Sequence, residues 1–245
     1  MPKYRVPDSD STRLDFMDKT ISTANKAAAD GKTERIPADL LAAVTAHYAL
    51  YSNAHEAMQI ALGQRVGETA EAAAIIDKLR MYISHMWTAV YHRYLREGQS
   101  PSVLAYYRLG SDGTRPPITK QQEVLRMADA LISGDAKAVD DGFAPIAQPT
   151  AAELQAVRDT ARSETSDAPS ADSVYDEAQA TVASLRPEAD RLIKEVRDYV
   201  TFSARNMDAP SQRRILRNYG AQYYYTPTEK IDEGDETAVV EEEAA

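Results

Sequence analysis

The chain has 245 residues, of which 10 are Gly and none Cys; 43 % are hydrophobic and 27 % charged. That length buries a sizeable core. The absence of Cys excludes disulfides, thiolate metal sites and cysteine nucleophiles, and so little Gly disfavours a turn-rich all-β fold. The net charge of −10 is uneven: between Glu229 and Ala245 eight acids against Lys230 account for −7, leaving −3 for residues 1–228, without the basic excess of a nucleic-acid-binding body.

Residues 1–35 are expected to form an N-terminal helix and linker. Leu14, Met17, Ile21 and Ala24 recur at steps of three and four from Ser11 to Ala28, and Gly31 ends the run. The opening MPKYRVPDSDSTRLDF has no apolar core of a secretory signal. No stretch approaches the ~18 apolar residues of a membrane span. A cytoplasmic location is expected, with signal-independent export left open, and no membrane partner.

Residues 36–118 are expected to form a first helical hairpin. Pro37 suits a first helical position. Leu41, Val44, Tyr48, Tyr51, His55, Met58 and Leu62 then succeed one another at alternating steps of three and four, the seam of an antiparallel bundle. Gly63 and Gly67 bracket a short turn. A second seam, Ala72, Ile76, Leu79, Ile83, Met86, Val90 and Tyr94, runs on to a stop at Gly98. SPSVLAYYRLG then reads as a short helix, with Ser100 as cap, Pro101 in the first turn and Gly110 as a left-handed close.

Residues 119–226 are expected to form a second hairpin unit behind a short leading helix. Thr119 with Gln122 opens that helix, Val124, Ala128, Leu131 and Ile132 give it an apolar side, and Gly134 ends it. Thr150 with Glu153 opens the next. The polar run from Arg162 to Ser173, with Pro169, predicts a break, and Pro187 a kink or a new start. Leu192, Val196, Tyr199, Val200 and Met207 continue a helical face. The acidic segment 227–245 is expected to be a disordered tail.

The two units read as copies. QSPSVLAYYRLG, residues 99–110, parallels DAPSQRRILRNYG, residues 208–220: each carries Pro-Ser, then Val103–Leu104 or Ile215–Leu216, then Gly110 or Gly220. LRMYI at 79–83 parallels VRDYV at 196–200, and LLAAV at 40–44 parallels ELQAV at 153–157. The fold class implied is all-α, two tandem antiparallel helical-hairpin units forming a helical bundle. After Gly220 the chain turns back, and Tyr223, Tyr224 and Tyr225 are expected to lie extended as a strap, alternate residues facing the bundle.

The order of long hairpin, Pro-containing turn, short helix closed by Gly, then the RPP of Arg115–Pro117 resembles uncharacterised bacterial proteins built from tandem helical hairpins. The likeness spans residues 36–225 and departs from the pattern at Asp167–Ser173. It implies a fold and no catalytic residue.

No Gly-rich phosphate loop and no nucleophile elbow is present. Antiparallel arms would bring His47 and His85 to one height, with His55 on the seam, so these three are the candidate metal ligands. No Glu-x-x-His motif accompanies them, and neither metal nor cofactor is expected. Arg205, Arg213, Arg214 and Arg217 form a basic group better suited to offsetting helix ends than to phosphates. Trp87, Tyr91, Tyr94, Tyr106, Tyr107, Tyr223, Tyr224 and Tyr225 give both units an aromatic end: sealed core in one case, a contact surface for a protein in the other. The function expected is a non-enzymatic structural or protein-interaction scaffold that self-associates, and the alternative a small-ligand or metal-binding bundle using the first hairpin's histidines.

Overall fold

A computed structural model of the chain describes residues 2–32 and 35–225. The acidic segment from residue 227 lies outside the described residues. Of the described residues 76 % are helical, which establishes the all-α class. In order it runs β1 (Lys3–Arg5), α1 (Asp10–Ala29), α2 (Ala38–Glu97), α3 (Ser102–Tyr106), α4 (Gln121–Asp140), α5 (Ala151–Ser203), α6 (Ala209–Asn218) and β2 (Gln222–Tyr224).

The turn expected at Gly63–Gly67 does not form: α2 is one helix of 60 residues, and neither glycine has a positive φ. A helical Gly costs about 1 kcal/mol relative to Ala, too little to break a helix whose apolar stripe continues on both sides. The stripe passes from Met58 through Ala61 to Ala72, Ile76, Leu79, Ile83, Met86 and Val90, all buried. Likewise α5 is one helix of 53 residues that contains both Pro169 and Pro187. Each interior Pro costs about 3 kcal/mol, and here helix is held on either side by buried Leu154, Val157 and Ala161 before them and Ala189, Leu192 and Val196 after.

The predicted hairpins therefore give way to long helices, and the boundaries at 36–118 and 119–226 do not delimit the compact bodies. One unit comprises residues up to Ile60 together with those from Asp176 on; the other runs from Ala61 to Tyr175. Each contains a 20-residue helix, a piece of α2, a piece of α5 and one short helix.

In the first unit, α2 and α5 run antiparallel. Arg35, just before α2, donates to Ser203 Oγ at 3.3 Å, and twelve residues on His47 Nε2 donates to the Leu185 carbonyl at 3.1 Å. The seam is displaced by one position from the expected one. Val44, Tyr51 and Met58 are buried as expected, but Leu40 and His47 share their stripe while Leu41, Tyr48, His55 and Leu62 are half-buried. Tyr51 is fully buried, and its hydroxyl donates to Asp10 Oδ1 at 2.7 Å. Arg186 closes on the same carboxylate with two bonds, at 2.7 and 2.9 Å. Asp10 sits in the first turn of α1, capped by Ser9. The Arg186 bonds, aided by Tyr51, hold its carboxyl below the usual carboxylate range against the opposing effect of burial.

β1 and β2 pair antiparallel with Tyr4 opposite Tyr223. The tyrosine strap thus forms as expected and alternates: Tyr223 half-buried, Tyr224 exposed, Tyr225 buried. Its partner is the chain's own amino-terminal strand, which no local pattern announces.

In the second unit the two long helices are again antiparallel. Arg65 pairs with Asp172 at 2.5 Å, and three residues further along α2, Glu68 lies beside Glu164 and Asp167. One apolar cluster joins Ile76, Leu79 and Ile83 of α2 to Leu131 of α4 and Leu154 and Val157 of α5. Two local expectations change here. Glu123, not Gln122, caps α4, accepting from the Thr119 and Lys120 amides at 3.0 Å each. Gly134 does not end α4 but lies inside it. Thr150 and Glu153 form the expected reciprocal cap on α5, at 2.8 and 3.1 Å.

The continuity of α2 and the Asp10 cluster are both open to test. A side chain added at Gly63 or Gly67 meets nothing within 4 Å. Gly63→Ala and Gly67→Ala should therefore each raise stability by about 1 kcal/mol; a turn at this point would make them destabilising, and thermal melts distinguish the two. Because the Asp10 pKa is lowered on folding, its contribution is present above the ordinary carboxylate pKa and is lost as pH falls through the folded value. Asp10→Asn should cost about 1–2 kcal/mol near neutrality and progressively less as pH falls below the ordinary carboxylate range and through the lowered folded value, as measured by urea unfolding across an acid pH series.

Candidate functional site

Of the eight aromatic residues singled out from sequence, three are buried, four half-buried and one exposed. Trp87 and Tyr107 are buried, with Trp87 Nε1 donating to the Tyr107 carbonyl at 2.9 Å and the Tyr107 hydroxyl to Asp135 Oδ1 at 2.6 Å. Burial, then the bond to Asp135, pushes the Tyr107 phenol well above its usual range. Tyr91 and Tyr94 are half-buried, their rings 6.1 Å apart, and Gly113 lies so close over Tyr91 that a Cβ there would fall 2.3 Å from its ring. Tyr106 is half-buried against Phe143 and donates its hydroxyl to Asp141. Tyr223 stacks edge-on against Tyr4 at 6.0 Å, and Tyr225 is buried. Only Tyr224 of the eight is exposed. Trp87, Tyr107 and Tyr225 thus seal core, while the half-buried Tyr91, Tyr94, Tyr106 and Tyr223 each keep part of the ring at the surface.

The candidate metal ligands do not converge. His47 and His85 lie on one continuous helix and belong to different units, because the turn that would have faced them is absent. His47 is buried and bonded to the Leu185 carbonyl, His55 is half-buried, and His85 and His92 are exposed. Among the described residues the one grouping with metal-ligand spacing is acidic, Glu68 with Glu164 and Asp167, and contains no histidine. The basic group near α6 is engaged within the chain: Arg205 lies over Phe202, Arg214 bonds Ser211, Arg217 lies over Tyr223, and Arg213 is buried.

Two surfaces remain that sequence patterns do not isolate. The first is the outward face of α2 within the first unit. Ala43, Ala46, Leu50, Asn53, Ala57 and Ile60 succeed one another at steps of three and four, and all are exposed; Leu50 is 61 % and Ile60 57 % accessible. From Leu40 to Gln64 the only charged residue is Glu56. A helix facing water normally carries charges on that side.

The second surface surrounds the end of α3. The short helices α3 and α6 close in one and the same way. The Leu109 amide bonds the Leu104 carbonyl and the Arg108 amide that of Ala105; the Ala221 amide bonds the Leu216 carbonyl and the Gly220 amide that of Arg217. Both are Schellman closures, whose penultimate position must take a left-handed backbone. Gly220 supplies it with φ +100, and Arg108 with φ +58. The structural equivalent of Gly220 is therefore Arg108, not Gly110 as the sequence match implies; the true register pairs Leu104 with Leu216 and Tyr107 with Tyr219. Among the described residues Arg108 is the only non-Gly residue with positive φ. A left-handed backbone costs a side-chain-bearing residue about 1–2 kcal/mol, and such strain collects at functional positions.

The two equivalent positions should respond oppositely to mutation. At Gly220 an added Cβ would lie 2.6 Å from the Phe16 Cα, so Gly220→Ala should destabilise by about 2 kcal/mol or more, whereas Arg108→Gly should stabilise by about 1 kcal/mol; calorimetric melting of the two variants checks both signs. Compared with protein-family models, with curated proteins and with solved structures, the chain shows no match to any.

Proposed function

We propose that this protein is a non-enzymatic helical interaction protein that associates with a second copy of itself through the outward face of α2 in the first unit. The observation that carries this is the near absence of charge over a stretch of exposed helix, with Leu50 and Ile60 both more than half accessible. Exposed apolar faces of this kind mark interaction surfaces.

The composition of the stripe favours a copy of the same chain. Laid antiparallel on itself about a centre between Tyr51 and Ser52, the stripe sets Ile60 opposite Ala43, Ala57 opposite Ala46 and Leu50 opposite Asn53. Ile60 meets a small residue, Leu50 a mid-sized one, and the alanine pair lets the two backbones approach. A two-fold contact of this sort uses one patch twice and closes on itself.

Sedimentation and multi-angle light scattering test the proposal. The full chain should run as a dimer at micromolar concentration. Leu50→Glu with Ile60→Glu should give a monomer of unchanged helicity, because both residues point away from their unit's core. A monomeric wild type, or a dimer indifferent to both substitutions, would overturn it.

A further inference from the structure

We propose that the second unit holds a binding site for a small amphiphilic organic anion, its phosphate-like head beside Arg108 and its apolar body along α4. This site is independent of the α2 face.

Helices α3 and α4 approach so closely at Gly134 that a Cβ there would lie 1.9 Å from the Tyr106 carbonyl oxygen. Flanking that contact is a cleft of about 360 Å³ lined by Ser102, Tyr106, Arg108, Ser133 and Lys137, with no carboxylate in its lining. Across Arg108 lies a second cavity of about 800 Å³, walled by Leu109, Pro116, Pro117, Ile118 and Met127. Ala105, Arg108 and Ala130 line both, so the two form one groove with a cationic, hydroxyl-bearing half and an apolar half. Volumes of this size suit small ligands.

The charges in the groove are unmatched. Among the described residues the side chains of Arg108, Lys137 and Arg126 have neither an ion pair nor a hydrogen bond. Elsewhere arginines find acids: Arg13 with Asp190, Arg65 with Asp172, Arg158 with Asp129, Arg186 with Asp10. The one acid of the apolar half, Glu123, spends a carboxylate oxygen on the α4 cap. Arginine and lysine with the Ser133 hydroxyl are donors suited to a tetrahedral oxyanion; the Ser102 hydroxyl donates to Ser100 Oγ at 2.9 Å.

The backbone adds a second observation. The closure of α3 needs a left-handed residue, and glycine meets that need at the equivalent Gly220. Arg108 meets it at a cost that the fold gains nothing from, since its side chain is exposed and makes no bond within the chain. A guanidinium held there stands between the two halves of the groove, where it serves a ligand and not the fold.

Octyl phosphate is the probe, titrated calorimetrically into the full chain at low salt, with inorganic phosphate as the head alone and octyl glucoside as the tail alone. Trp87, the one tryptophan, reports from beside the Tyr107 carbonyl. Octyl phosphate should bind one to one, at least about tenfold more tightly than either control. Arg108→Gly should weaken it by about tenfold or more while raising the melting temperature, which separates lost recognition from lost folding. Lys137→Ala should weaken it several-fold. No saturable binding, equal binding of the neutral glycoside, or full affinity in Arg108→Gly would overturn the proposal.

Discussion

Everything in this molecule depends on the apolar stripes of two helices too long to be covered by a single neighbour. A helix gains most of its stability from burying one face, and α2 presents buried residues from Leu40 to Val90. At about 2 kcal/mol for each buried aliphatic side chain, that stripe outweighs the cost of Gly63 and Gly67 within it. The same balance carries α5 through Pro169 and Pro187. Each long helix contributes a piece to both compact units.

The helical periods are legible in the sequence; their punctuation is not. Six of the seven residues in the seam from Ala72 to Tyr94 are buried, and the seventh is half-buried, because steps of three and four report directly on which side chains share a face. Gly and Pro look like stops, yet they are local penalties of about 1 and 3 kcal/mol set against a stripe many residues long. In the first part of α2 two stripes are available, both containing Val44, Tyr51 and Met58. The choice between them falls to a partner distant in sequence, the Leu185 carbonyl that takes the His47 bond. Arg93 is equally hidden: it is buried with its guanidinium on the Ala144 and Pro145 carbonyls, and Asp135 holds the Ile146 amide of the same loop at 3.1 Å. No spacing rule identifies partners eleven or fifty residues away.

The repeated pattern read in the sequence pairs Leu104 with Leu216, as the closures do, but misplaces the glycine by two residues. Helices of 20, 60 and 5 residues precede helices of 20, 53 and 10, so α1 and α4 hold corresponding places, each ahead of a long helix, as the sequence order suggests. The glycines draw the alignment toward Gly110, whereas the hydrogen bonds align Arg108 with Gly220. An Arg aligned with a Gly looks like a mismatch until the backbone shows both in the same left-handed conformation.

The segments that follow the two closures differ. Past Gly220 the chain enters β2 at once, and α6 is fastened by α1: Thr20 and Thr23 donate their hydroxyls to the Tyr219 and Asn218 carbonyls, at 2.9 and 2.5 Å. Past Arg108 the chain instead makes the loop of Pro116 and Pro117, which stands off α4 as the wall of a cavity. Loops diverge more readily than the elements they join. The same closure is therefore followed by a strand in one unit and by a loop in the other, and the left-handed Arg108 and the groove beside it lie on the side of the loop.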